Sequence, residues 1–467
     1  MPYDAPVDPG RFLSHVAACR REEDLFTGLS RPAEADDRTI AGLRRRRRRA
    51  ANDAESAIKT VSLVEENGTL YWRDGIPAAT PAARRRRGRR GVAGESDGSL
   101  VLTREFETLA PNKIVEAVGT IDRRLNAAIA DSLQARLRPL QRTPAGTYEL
   151  LDRDVSGPFS GRTLVLVHGT FSNADGMLSE LTAAKGRGLR FLDRATTGAA
   201  KYDRVLFFEH PTLSVSPVIS ALELGRAMAR STGTIDVVAH SRGGLVVRWW
   251  LEAFGSSLRM TTGSKVRAVL VGAPLHGTSL AAPDKIQHAM SLISNVGTFA
   301  EKTMSLFGLA NPFIWVAGKL IEVIVSVTGA LARTPVVDAL AALVPGLAGQ
   351  SAVSNNHELN RLRIGPLDIE PSYYAILSNF ETPDPSWRFW RNFRKDRLAD
   401  LAAGVIFPGD NDLVVDTSSM TDFGVPKLKL AGAPCNFRTS DTVWHCNYFR
   451  QSKSIDYIAD SFRLTLD

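Results

Sequence analysis

The chain has 467 residues, which points to two or three domains rather than one core. With 44% hydrophobic and 23% charged residues it is neither a disordered nor a fibrous chain. The net charge of +8 is local: two runs of six arginines, Arg44 to Arg49 and Arg84 to Arg90 broken at Gly88, supply more positive charge than the whole excess, so no broad basic face is implied.

In chain order, residues 1–150 are expected to form a small α+β accessory region. Pro2, Pro6, Pro9 and Pro32 among acidic residues mark a loosely ordered start. Thr60 to Trp72 has the pattern of a hairpin around Asn67-Gly68, and Ser99 to Thr103 that of a short strand after Asp97-Gly98. Lys113 to Leu140 shows helical periodicity through Ile114, Val118, Ile121, Leu125, Ile129 and Leu133.

From residue 151 the texture changes. Continuous apolar strands are expected at Thr163–Val167, Arg204–Phe208, Ile235–Ala239, Val266–Val271, Tyr374–Leu377 and Gly404–Phe407, with helices between several of them. Buried runs alternating with helices mean a mostly parallel, doubly wound α/β sheet covered on both faces. Sites in such sheets lie beyond the carboxyl ends of the strands. Residues 281–349 interrupt the alternation with an apolar helical insertion. Lys319 and Glu322 fall near the middle of its most apolar stretch, where each would cost roughly 2.5–3.5 kcal/mol in a bilayer. A cap over an apolar pocket, with peripheral membrane contact left open, is therefore preferred to a spanning helix.

The chemistry centres on Thr234 to Val247. Here a β-branched strand runs into Ala239-His240-Ser241-Arg242-Gly243 and then a helix. A serine on so sharp a turn is held in a strained conformation with its Oγ lifted clear of the sheet. Such a hydroxyl needs a base, and the base needs an orienting acid. His445 is favoured as the base over His276; His288 and His357 belong to the insertion or its return. Among the acids after the sixth strand, Asp412 is favoured, with Asp410 as runner-up and Asp416 as a surface or capping residue, while Asp236 precedes the serine. The backbone N–H groups of Arg242 and Thr170 are the expected oxyanion donors. His168, Gly169, Phe171 and His276 are expected to border the site, with His168 holding the Gly169 turn.

Leu164 to Thr170, Ala239 to Gly244, Gly272 to Thr278, Asp412 to Val415 and His445 to Phe449 together resemble the motifs of α/β-hydrolase lipases and esterases, in family order. The resemblance runs from about Leu150 to Asp467. It implies ester hydrolysis through an acyl-enzyme, with a triad of Ser241 as nucleophile, His445 as base and Asp412 as its orienter. Departures are the alanine that opens the elbow, a larger apolar insertion and an N-terminal third without a match.

The expected substrate is a small-molecule or lipid-like ester. Thioester hydrolysis or acyl transfer by the same fold is the alternative, as is a recruitment role for the basic N-terminal region. The arginine runs lack interleaved aromatics, so solvated loops are preferred to nucleic-acid contact. No ligand-spaced cluster calls for a metal, and no cofactor is expected. Cys19, Cys435 and Cys446 are too few for a disulfide framework, and free buried thiols are preferred to a Cys435–Cys446 bridge. Without a basic start leading into an apolar core, the cytoplasm is the expected compartment, although signal-independent export would leave no such mark.

Overall fold

A computed structural model describes residues 30–32, 58–66, 69–74, 99–107, 111–183, 186–255, 265–281, 291–292, 295, 344–352, 356–364, 371–382, 407, 409–424 and 428–466. Both arginine runs, most of the insertion at 281–349, and the expected strand at Gly404–Phe407 apart from Phe407 lie outside the described residues.

The N-terminal region contains an antiparallel sheet of β1 (Ser30–Pro32), β2 (Ile58–Glu66), β3 (Thr69–Asp74) and β4 (Ser99–Glu107), in the order β1-β4-β2-β3. Glu66 pairs with Thr69, as the two-residue Asn67-Gly68 connection requires. Helix α1 then spans Pro111–Leu125.

Here the structure corrects the sequence reading. The helix does not continue to Leu140: it gives way to a short turn at Ala127–Ile129 and a left-handed Leu133, and Arg136–Arg142 is a strand, β5. Pro139 has no N–H for a helical ladder, and the Arg136-Leu137-Arg138 alternation suits a strand. β5 pairs antiparallel with β8 (Arg204–Glu209) and with β6 (Tyr148–Leu150). Residues 136–150, expected in the accessory region, thus belong to the large sheet.

Among the described residues that sheet has eight strands in the order β12-β11-β10-β9-β7-β8-β5-β6. The six from β12 to β8 are mutually parallel: β7 is Arg162–Val167, β9 Thr234–His240, β10 Lys265–Val271, β11 Ser372–Phe380 and β12 Cys435–Ser440. Along β7, Leu164 and Leu166 face one core while Val165 and Val167 face the other. This two-residue period explains why the strand has no polar side. Helices α2 (Ala174–Thr182), α3 (Arg187–Thr196) and α7 (Ser452–Ser461) cover the first face through Leu181, Phe191 and Ile458. Helices α4 (Pro217–Ala227) and α5 (Arg242–Arg248) cover the second through Leu224 and Val246. The expected mostly parallel α/β sheet, covered by helices on both faces, is borne out.

β7 continues to β8 on one side, whereas β9 continues to β10 on the other. The chain reverses its winding between β7 and β9, so their C-terminal loops diverge and leave a crevice. The sequence between residues 278 and 350 leaves and rejoins this rim at one place: Thr278 N–H donates to the Gln350 carbonyl at 2.8 Å, and Ala352 N–H donates to the Thr278 carbonyl at 3.1 Å. Helix α6 (His357–Ile364) follows and leads to β11.

Candidate active site

Ser241 stands between β9 and α5 at φ 54°, ψ −125°, a region that costs an L-residue on the order of 1–3 kcal/mol. The surroundings over-determine it. Ser241 N–H donates to the Val271 carbonyl at 2.8 Å, and its own carbonyl accepts from Gly244 N–H at 2.9 Å. A Cβ on Gly243 would come within 2.6 Å of the Val167 carbonyl oxygen, and one on Gly244 within 2.5 Å of the Ala273 Cβ. The two glycines let helix α5 start directly against the neighbouring strands, which forces the turn at Ser241.

The Ser241 hydroxyl donates to Nε2 of His445 at 2.9 Å, and Nδ1–H of His445 donates to Asp412 Oδ2 at 2.8 Å. Ser241 and His445 are 4% exposed and Asp412 is fully buried. The Asp412 carboxylate is held by its own turn: Oδ1 accepts from Val414 N–H at 3.1 Å and Val415 N–H at 2.8 Å. Left-handed Leu413, φ 82°, folds those amides back onto it. The backbone joins base to acid as well, His445 N–H donating to the Asp412 carbonyl at 3.0 Å. This arrangement fixes the imidazole with its proton on Nδ1 and its lone pair toward Ser241.

Two more residues belong to the cluster, and the sequence motifs gave neither a role. Tyr448 donates its hydroxyl to Asp412 Oδ2 at 2.9 Å. Burial, and then the Asp412 charge, push this phenol well above its ordinary range, so it remains a donor. The signal was its position three residues after His445, in the turn that returns the chain under the imidazole. His240 donates Nε2–H to the His445 carbonyl at 2.9 Å. Burial, and then the proximity of His445, pull His240 down to about 3, so it stays neutral.

The loop after β7 lies against the nucleophile. A Cβ on Gly169 would meet the Ser241 Cβ at 2.8 Å, so only glycine allows that approach. Buried His168 accepts from His210 N–H at 3.3 Å, stacks on the His210 ring at 4.0 Å and lies 3.0 Å, through Nδ1, from the Gly169 carbonyl oxygen. These bonds fix the turn. Thr170 donates its hydroxyl to Gln350 Oε1 at 3.0 Å, and Phe171 takes φ 58°, which turns the chain away toward α2. Arg242 opens α5, where a helix leaves its first N–H groups unpaired.

The other candidates are placed elsewhere. His276, expected to border the site, is about half-exposed and bonds through Nδ1 to Asp422, beside Arg363. Left-handed Gly277 turns the chain back to the 350–352 segment, and the imidazole points out to that acidic partner. Asp410 is exposed, while Asp416 precedes the turn Thr417–Met420 and accepts from Ser279 Oγ at 3.1 Å. Asp236 is buried farther back along β9, where Arg267 grips it through two nitrogens at 2.6 and 2.7 Å. His288 lies outside the described residues, and His357 opens α6. Cys435 and Cys446 are free thiols. Among the described residues no group of histidine, cysteine and carboxylate side chains could hold a metal, and no helix is long and apolar enough to cross a membrane.

Residues 135–463, more than two-thirds of the chain, match the family described as "Domain of unknown function (DUF7379)". The chain belongs to that family. No curated protein matches it. Among solved structures it is similar to lipase 1 from Pelosinus fermentans, 15% identical over 65% of this chain and 98% of that one, with a TM-score of 0.36. It is also similar to the product of gene lin2722 from Listeria innocua, 13% identical over 64% of this chain and 92% of that one, with a TM-score of 0.32. The DUF7379 match begins one residue before β5, where the chain enters the large sheet, and it encloses Ser241, Asp412 and His445.

Proposed function

We propose that this DUF7379 protein is a serine ester hydrolase acting through an acyl-enzyme on apolar or lipid-like esters. The observation that carries the reading is the unbroken hydrogen-bond chain from Ser241 to His445 to Asp412, starting at a strained serine on the switch-point crevice.

In the reaction Ser241 Oγ attacks the acyl carbonyl carbon, and its proton passes to His445 Nε2. Asp412 stabilises the imidazolium that results. The amides of Arg242 and Thr170 receive the oxyanion, each contributing about 10²–10³ in turnover. Collapse expels the alcohol, which takes the proton from His445. Water then attacks the acyl-enzyme with His445 again as base, releasing the acid and restoring Ser241. The apolar sequence of the insertion supports an apolar acyl group.

A fluorophosphonate should label Ser241, and Ser241→Ala should lose both labelling and hydrolysis of p-nitrophenyl esters. A variant as active as the parent would sink the reading. A rate that rises with acyl-chain length, and further on liposomes, is expected for a lipid-like substrate; preference for acetate with no interfacial gain would limit the substrate to small esters.

A further inference from the structure

Asp122 lies on α1, ahead of the matched region, and none of the motifs includes it. It is fully buried in a position that ordinarily demands a partner for a carboxylate. The partner is a loop. Asp122 Oδ1 accepts from Thr212 N–H at 2.8 Å and Leu213 N–H at 3.1 Å, and Oδ2 accepts from Leu213 N–H at 3.0 Å and Ser214 N–H at 2.6 Å. The Thr212 and Ser214 hydroxyls add bonds at 3.3 and 2.6 Å. One carboxylate thereby fixes three consecutive amides of the segment after β8.

The next carbonyl of that segment, Val215, accepts from Arg242 Nη2 at 2.7 Å, and Ser220 Oγ lies 3.2 Å from the same nitrogen. Arg242 immediately follows the nucleophile, and its side chain is fully buried. Burial pulls its guanidinium down to about 10. Asp122 is foremost among the carboxylates opposing that shift, ahead of Glu358 and Glu223. The chain of contacts thus runs from Asp122 through residues 212–215 to the residue whose amide faces the oxyanion. The same end of α1 reaches the other side of the crevice: Asn173, which caps α2 by accepting from Gly176 N–H at 2.6 Å, donates Nδ2–H to the Leu125 carbonyl at 2.6 Å. Asn173 closes the loop that carries Gly169 and Thr170.

We infer that Asp122 is a positioning residue for the reaction, and that the C-terminal turn of α1 braces both oxyanion-side loops from outside the DUF7379 region. The inference rests on the reading of Ser241 as nucleophile. A displacement of about 1 Å in a group that meets the transition state can cost 10²-fold, so loosening residues 212–215 should slow the chemistry while leaving ester binding nearly intact.

The test uses the full chain. Asp122→Asn keeps the shape and removes the charge. Its fluorophosphonate labelling rate and kcat should fall by about 10-fold or more, with KM within about twofold of the parent. Asn173→Asp keeps the α2 cap acceptor and removes the donor to Leu125, and should slow labelling about threefold. Combining Asp122→Asn with Arg242→Met should cost less than the product of the single effects, because both changes break one chain of contacts. Labelling of the parent at Ser241 together with parental labelling rates in Asp122→Asn would overturn the inference, even with a lowered Tm. Multiplicative effects in the double variant would overturn it as well. Should Asp122→Asn fail to fold, parental labelling by folded Asn173→Asp overturns it. Absence of Ser241 labelling in the parent is a different result, because it removes the hydrolase reading itself.

Discussion

The acid–base arm and the oxyanion arm of the candidate site are built in opposite ways. Asp412, His445 and Tyr448 all come from the C-terminal part of the chain, and apart from the bonds of His445 to Ser241 and His240 the hydrogen bonds given above for them lie within it. Thr170 and Arg242 are supported from distant parts of the chain. Gln350 holds Thr170, and the segment tied to Asp122 holds Arg242. A local unit tolerates change elsewhere in the molecule, whereas an arm assembled by long-range contacts transmits it. Damage to the first should cost the most in rate; damage to the supports of the second should cost less.

Asp412→Asn probes the local arm and carries the largest expected effect. An amide there favours the wrong imidazole tautomer, and kcat should drop about 10⁴-fold with the fold intact. A small loss in steady-state assays would mean that another carboxylate orients His445. Gln350→Ala probes the long-range arm. Gln350 also donates to the Gly346 carbonyl at 2.5 Å, so its loss frees Thr170 from the segment that rejoins the sheet. About a tenfold fall in kcat with KM little changed is expected, recovered in part by Gln350→Glu, which keeps the acceptor for Thr170. Equal rates in all three proteins would show that the Gly169 turn alone sets the loop.

The smallest effect concerns His240, which joins the arms by standing next to Ser241 and bonding to His445. Its pKa and that of fully buried His210 are depressed, His210 by burial and then by His168 and Arg242. Unfolded imidazoles titrate near about 6.5, so below that pH the unfolded chain binds protons that the native chain refuses. Their contribution to stability is complete above about pH 6.5 and is lost as the pH falls toward the folded values. His240→Gln keeps an N–H donor and removes one of these sites. Its stability should depend less steeply on pH between about 6 and 4, by up to roughly 1.4 kcal/mol per pH unit in denaturant titrations. An unchanged slope would show that His240 does not resist protonation.

The sequence made the acid–base arm legible and left the supports of the other arm hidden, for a physical reason. Strands β7 to β11 are buried on both faces, so they stand out as apolar runs. Ser241 directly follows one of them, β9, and Asp412 and His445 stand in short motifs of their own further along the chain. β5 carries arginines and continues a helical rhythm, so the local cues of Pro139 and the alternation at 136–138 are easily outweighed, and its pairing with β6 and β8 reveals it. β12 has a single buried residue, Cys435, and no apolar pattern to announce a strand. Asp122 looks like an ordinary charge on an amphipathic helix. Its role depends on amides about ninety positions away in the chain, which nothing in its own surroundings encodes. His276 occupies a plausible place after a strand, and a local turn aims its imidazole at Asp422.

The staple at Thr278 has a consequence for how such proteins diversify. The sequence between Thr278 and Gln350 begins and ends at one pair of backbone hydrogen bonds, which bridge Thr278 to Ser351. A detour that closes on itself adds only slowly growing loop entropy as it lengthens. Between Ala281 and Val344 the sequence can therefore be enlarged, trimmed or rewritten without pulling on β10, whereas Gly346, whose N–H donates to the Leu213 carbonyl at 2.9 Å, ties the returning end to the segment after β8. The detour can then drift while Ser241, Asp412 and His445 keep their hydrogen bonds.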